Sequence, residues 1–149
     1  MINNKSFINL IRIKELTFKN SLKEGQSQFF IDADSISKNN IKKFENQLGS
    51  FAPKNSILFV KDGSVGLMKF IDFDCWIGST LFSFSNSSVI TTKFIYFYFL
   101  AIKKKILSLK KGSVVSHIYF KDLEKLEINM PNEKTQEKII NIIEHKINS

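Results

Sequence analysis

The sequence predicts an α+β fold bordering on α/β: a small, mostly antiparallel β-sheet packed with helices and closed by a C-terminal amphipathic helix. Three observations predict it. Short apolar or alternating runs are joined by connections too short for helical crossovers. Residues 92–111 are apolar in their first half and lysine-rich in their second, and the last stretch carries isoleucines at helical spacing. The 149 residues favour one domain, and with 43% hydrophobic residues and 15 Phe they can bury a core, which excludes disorder as the main state.

The elements follow in order. Residues 27–34 read as a short strand entering a polar turn, with residues 37–40 supplying turn residues. Residues 55–61 form a continuous apolar run suited to a strand buried on both faces, broken by Asp62-Gly63. Along residues 70–77, Ile71, Phe73, Cys75 and Ile77 alternate with Asp72 and Asp74, the pattern of one half-buried strand. Residues 81–85 alternate again through Phe82 and Phe84.

Thr92 can cap a helix running to about Lys111, with Gly112 as its stop and Lys110 and Lys111 favourable to the helix dipole. A short helix over residues 120–126 leads into a strand at 127–130, which Pro131 ends. The last helix starts at Asn132 or Glu133. Its Ile140, Ile143 and Ile147 lie at a/d spacing, and Ile139 and Ile142 widen the stripe. About 17 residues give a helix of roughly 25 Å that is marginal alone, so the stripe must lie on the domain body or on a helix of another chain. The reading divides the chain into a domain of residues 1–131 and a closing helix of residues 132–149. Three Lys and three Glu cancel in that helix, so the net charge of +8 belongs to residues 1–131.

Composition removes several classes. The single cysteine, Cys75, cannot form an internal disulfide, and no Cys/His cluster has zinc spacing. The start lacks the long apolar core of a signal peptide, and the longest apolar run, residues 94–102, falls short of the roughly 20 residues a membrane span needs. A cytoplasmic protein is expected. Arg12 is the only arginine, so cationic contacts rest on lysine, a mobile point charge rather than a bidentate fork.

Charge is the clearest chemical signal. No acidic residue lies between Asp74 and Asp122, a stretch holding Lys93, Lys103, Lys104, Lys105, Lys110, Lys111 and Lys121. Such a sector suits phosphates, although the same lysines would also keep a Phe-rich protein soluble. Residues 61–66 (Lys-Asp-Gly-Ser-Val-Gly) and 110–113 (Lys-Lys-Gly-Ser) combine lysine, glycine and a hydroxyl, so backbone N–H groups could approach a phosphate. The first is not a Walker A loop, and an ordinary hairpin turn accounts for it as well.

Catalytic constellations are poor. His117 and His145 have no nucleophile motif beside them, and a hydrogen-bonded structural role suits His117 equally. Asp72 and Asp74 would face solvent more readily than a metal. Glu144-His145-Lys146 matches a nuclease fragment only formally, and Pro53 and Pro131 stand too far apart for an amino-methyltransferase Pro-Pro-aromatic motif. No catalytic or metal residues are expected.

An ordered set of segments nevertheless resembles a known family. These are Phe29-Phe30-Ile31-Asp32-Ala33-Asp34-Ser35-Ile36; residues 52–66, ending in the Lys61 to Gly66 loop; the aromatic run 94–100; Gly112-Ser113-Val114-Val115-Ser116-His117-Ile118; and Ile128-Asn129-Met130-Pro131 followed by Gln136-Glu137-Lys138-Ile139. Their order and spacing resemble the target recognition domain of the DNA specificity subunit of type I restriction-modification systems. The resemblance runs from about Phe29 onward. It implies an α/β recognition domain that reads one half of a split target, followed by a spacer helix. It further implies a non-catalytic chain with no cofactor of its own; S-adenosylmethionine and Mg²⁺ belong to partner subunits, which perform N6-adenine methylation and restriction.

The chain departs from the family pattern in holding one domain and a short helix, a Pro131-Asn132 pair in place of two prolines, and a single glycine, Gly25, in its opening. A half-length, split or excised specificity subunit is the resulting expectation. Implied partners are double-stranded DNA, a methyltransferase (modification) subunit and a second copy or another half-subunit, with no membrane. On this basis Lys61, Lys69, Lys110 and Lys111 are candidate phosphate contacts, and Ser64, Ser113 and His117 candidate polar contacts. Ile139, Ile140, Ile143 and Ile147 are the candidate face for a partner helix. The alternative is an assembly fragment that pairs through this helix and binds little DNA itself.

Overall fold

A strand whose every residue is apolar or small must be covered on both faces, and β6 (Ser56–Val60) is the axis on which the fold is built. The computed structural model describes residues 10–43, 49–112, 114 and 116–148. β6 lies between β9 (Leu81–Ser85) and β7 (Met68–Ile71), and β2 (Lys19–Asn20) adds to the far edge of β9. All these pairings are antiparallel. Alternation along β6 sends Ile57 and Phe59 into one core with Phe84, and Leu58 and Val60 into a second with Ile71 and Leu81.

Helices cover the first core. α2 (Val89–Ala101) contributes Phe94, Ile95 and Phe99, α3 (Lys103–Leu107) contributes Ile106, and α4 (Phe120–Leu123) contributes Leu123. A second four-stranded sheet covers the other core: β4 (Lys42–Lys43), β3 (Phe29–Ile31), β8 (Cys75–Ile77) and β5 (Ser50–Ala52), supplying Ile31, Ala52, Cys75 and Ile77. Its β3·β8 pair is parallel and its other pairs antiparallel, so the fold is the mostly antiparallel α+β arrangement expected, with two four-stranded sheets and a separate two-stranded pair among the described residues in place of one sheet. β1 (Leu10–Arg12) pairs with β10 (Glu127–Asn129), bringing Ile11 opposite Ile128 beside the helix-side core. α5 (Glu133–Asn148) then lies on α2. No helix among the described residues is long and apolar enough to cross a membrane.

Three local expectations change. Residues 70–77 are not one strand but β7 and β8, which belong to different sheets. The corner between them is fastened by Asp74, whose Oδ1 accepts the Lys54 N–H at 2.8 Å and whose carbonyl accepts the Ser27 hydroxyl at 2.7 Å. Period-two alternation continues through such a corner, so the pattern alone could not reveal it. Likewise, residues after Asp32 form α1 (Ala33–Lys38) before any turn. Asp32 caps it by accepting the Ser35 N–H at 2.8 Å, and Asn39 ends it in the left-handed region at φ 54°.

The long helix expected from Thr92 to Lys111 is capped instead by Ser88, whose hydroxyl accepts the Thr91 N–H at 3.1 Å. Thr92 lies inside the first turn and its hydroxyl donates back to the Ser88 carbonyl at 2.9 Å. The helix stops at Ala101, and Ile102 at φ −104°, ψ 28° turns the chain into α3. Three successive lysines span more than half of a helix circumference. The turn lets Lys103, Lys104 and Lys105 all stay exposed while Ile106 is buried. Gly112 therefore belongs to a loop, not to a helix terminus.

Candidate nucleic-acid interface

Residues 61–66 leave β6 as a hairpin connection. The Lys61 N–H donates to the Thr80 carbonyl at 2.8 Å and the Gly66 N–H to the Val60 carbonyl at 3.0 Å, which folds the loop back on its own stem. Gly66 has φ +94°, a backbone conformation that favours glycine, and a Cβ placed there would lie 2.8 Å from Leu107 Cδ2, the mobile end of a side chain of α3.

A second loop is laced to the first. The Ile118 N–H donates to the Lys61 carbonyl at 2.9 Å and the Gly63 N–H to the Ser116 carbonyl at 3.3 Å. Lys111 and His117 exchange two backbone hydrogen bonds of 3.0 and 2.9 Å, which pinches the loop at its base; Val114, within it, is 94% exposed. Below lies Asp122, only 3% exposed, whose carboxylate accepts from Lys111 Nζ at 2.8 Å and from the Tyr119 N–H at 2.9 Å. Burial pushes that carboxyl upward, but the Lys111 ammonium and the Tyr119 N–H outweigh it and hold its pKa below 3.8.

These contacts bring Lys61, Ser64, Lys110, Lys111 and His117 onto one platform from segments about fifty residues apart in sequence. Ser64 and Lys110 are exposed and Lys61 half-buried. Lys111 is committed to Asp122, so its first role is to clamp the loop. Asp62, bridged to His117 through the backbone, places one carboxylate on the platform. Ser113 lies outside the described residues.

Lys69 is placed elsewhere: it is half-buried on β7 opposite Leu58, about 10 Å along the ladder from the loop at 3.3 Å per residue. The lysine sector is also divided, because Lys93 turns toward α5 and pairs with Glu144 at 3.1 Å. Sequence reasoning missed Tyr119 and counted Lys121 only as one member of the lysine sector. Tyr119 falls in an apolar run, Ile118-Tyr119-Phe120, that reads as core, yet the residue is 46% exposed, its ring centroid 4.7 Å from that of His117 and 5.5 Å from Lys121 Nζ.

Other candidate chemistry is accounted for. Burial, then the charge of Asp74, pushes the Cys75 thiol up to about 12, so it is an inert core residue at neutral pH. Among the described residues no group of three or more His, Cys, Asp or Glu could hold a metal ion. On the candidate partner face, Ile140 is 5% exposed in the helix-side core with Ile139 packed beside it, Ile143 is half-buried, and Ile147 is 67% exposed at the mouth of a cleft with Phe97 and Leu100.

The family model for the type I restriction modification DNA specificity domain matches residues 2–148. The chain belongs to this family. As a specificity domain it is a non-catalytic component of restriction-modification systems. Solved structures show the same fold. The S subunit of a type I restriction-modification system from M. genitalium matches with a TM-score of 0.65 and 21% identity, over 97% of this chain and 40% of that one. A structure of complex assembly and conformational transition of the type I R-M system matches with a TM-score of 0.71 and 14% identity, over 99% and 40%. The HsdS subunit from Thermoanaerobacter tengcongensis matches with a TM-score of 0.66 and 13% identity, over 97% and 38%. This specificity domain thus spans about two fifths of those chains. No curated protein matches it.

Proposed function

We propose that this specificity domain reads half of a bipartite DNA target with the platform formed by residues 61–66, 110–112 and 116–121, on behalf of methyltransferase and restriction subunits that supply the chemistry. The carrying observation is the lacing of two lysine- and glycine-bearing loops into one exposed surface. Among the described residues Lys61, Lys110 and Lys121 have no carboxylate partner there, so their ammonium groups are available to phosphates. Lysine contacts would set register, and loop side chains such as Ser64 and His117 would face base edges in the major groove. S-adenosylmethionine and Mg²⁺ would reside on the partner subunits.

Fluorescence anisotropy of a labelled duplex across a salt series tests this. Three phosphate contacts correspond to a log–log slope of about −3, and a flat response rejects the assignment. Lys110→Glu should weaken all sequences alike with an unchanged thermal midpoint, since Lys110 touches no carboxylate.

The assembly reading draws on the exposed Ile147 and the cleft between α2 and α5. It expects Ile147→Glu to abolish association with a second copy or a modification subunit, measured by size-exclusion mass, while leaving DNA affinity intact.

A further inference from the structure

We infer that Tyr119 is a base-discriminating contact of the DNA interface, its ring placed against base edges while Lys121 meets the neighbouring phosphate. This rests on the DNA-reading proposal and identifies which side chain on the platform discriminates. The backbone at Tyr119 is extended, at φ −93° and ψ 157°, so residues 117 and 119 share one side while Ile118 points into the core. The ring has the His117 imidazole 4.7 Å away and the Lys121 ammonium 5.5 Å from its centroid, yet nearly half of the residue remains open.

Its anchoring is equally specific. The Tyr119 N–H is held by the buried Asp122 carboxylate, which also holds Lys111, and Lys111 in turn pairs with the backbone of His117. An exposed ring with a fixed backbone and a neighbouring imidazole loses little conformational freedom on binding, which suits an aromatic that must select rather than adapt. A phenol offers a rigid apolar surface and a hydroxyl that can donate or accept, whereas the surrounding lysines are donors only. Sequence discrimination and general affinity thus fall on different residues of one surface.

The test enriches duplexes from a randomised 20-base-pair pool with the full chain, then compares the enriched duplex with poly(dI-dC). Tyr119→Ala should lose about tenfold on the enriched duplex and less than twofold on poly(dI-dC), while Lys121→Gln weakens both alike. Equal affinity to wild type on both, or equal losses on both, overturns the role of Tyr119. Nitration of the wild-type chain by tetranitromethane, followed by mass spectrometry, gives an answer independent of variant folding. The enriched duplex should protect Tyr119 severalfold, and unprotected Tyr119 rejects the inference. A wild-type chain that enriches no sequence instead removes the DNA-reading proposal itself.

Discussion

The loop platform and the seam between α2 and α5 each contain a lysine–carboxylate pair, but the two pairs do different work. At the platform, the Asp122 carboxylate is buried and is the hub for Lys111 and the Tyr119 N–H, so it ties together the two ends of the 111–119 segment. At the seam, Lys93 and Glu144 are both partly exposed, and the contact is made by Ile140 in the core and by Gln136, whose amide accepts from the Thr91 hydroxyl at 2.9 Å and donates to the Pro131 carbonyl at 2.8 Å. Burial, not the presence of opposite charges, decides which pair organises its surroundings. The seam is an apolar contact decorated with an ion pair; the platform is a polar construction that would lose its shape without one.

The largest expected effect falls on the seam. Ile140→Ala removes a buried side chain and should cost about 3 kcal/mol of unfolding free energy in a denaturant titration, within the usual range for such core truncations. A loss below about 1 kcal/mol would mean that α5 is not part of the domain's cooperative core.

Next comes the platform. Asp122→Asn keeps the shape but removes the charge, and a loss of about 1–2 kcal/mol is expected. Its pH dependence sharpens the point. The folded carboxyl titrates below the ordinary value of 3.8, so its stabilisation is fully present above about pH 5, begins to fall as the unfolded-state carboxyl takes up protons, and is gone once the pH has passed below the folded pKa. The gap in thermal midpoint between wild type and Asp122→Asn should therefore be constant from pH 7 to about 5 and close in stronger acid. A gap that widens in acid would contradict the hub.

Smallest of the three is Lys93→Ala, expected to change stability by no more than about 0.5 kcal/mol apart from lost packing over Phe70. Lys111→Glu, by contrast, sets a second carboxylate beside Asp122 and should destabilise clearly more than Lys110→Glu, although the two lysines are neighbours in sequence. Comparing their thermal midpoints checks the distinction directly.

Local pattern carried much of the architecture. The apolar run of β6, the alternation of β9, the strand ahead of Pro131 and the isoleucine stripe of α5 could all be read from side-chain period, because each must bury one or both faces. The order of loop, aromatic helix and closing helix was enough to suggest the family, and composition marked Lys61, Ser64, Lys110 and His117 as candidates, but that their two loops meet is decided by the backbone bonds between them. Tertiary structure alone decided three further things: that residues 70–77 divide between two sheets, that the lysine helix breaks at Ile102, and that Lys111 and Lys93 turn to carboxylates while Tyr119 turns outward. Periodicity reports how many faces a segment must hide. Which charged group lies beside which, and which aromatic is left in water, is fixed only when distant segments meet, since those outcomes depend on neighbours that the chain supplies tens of residues away.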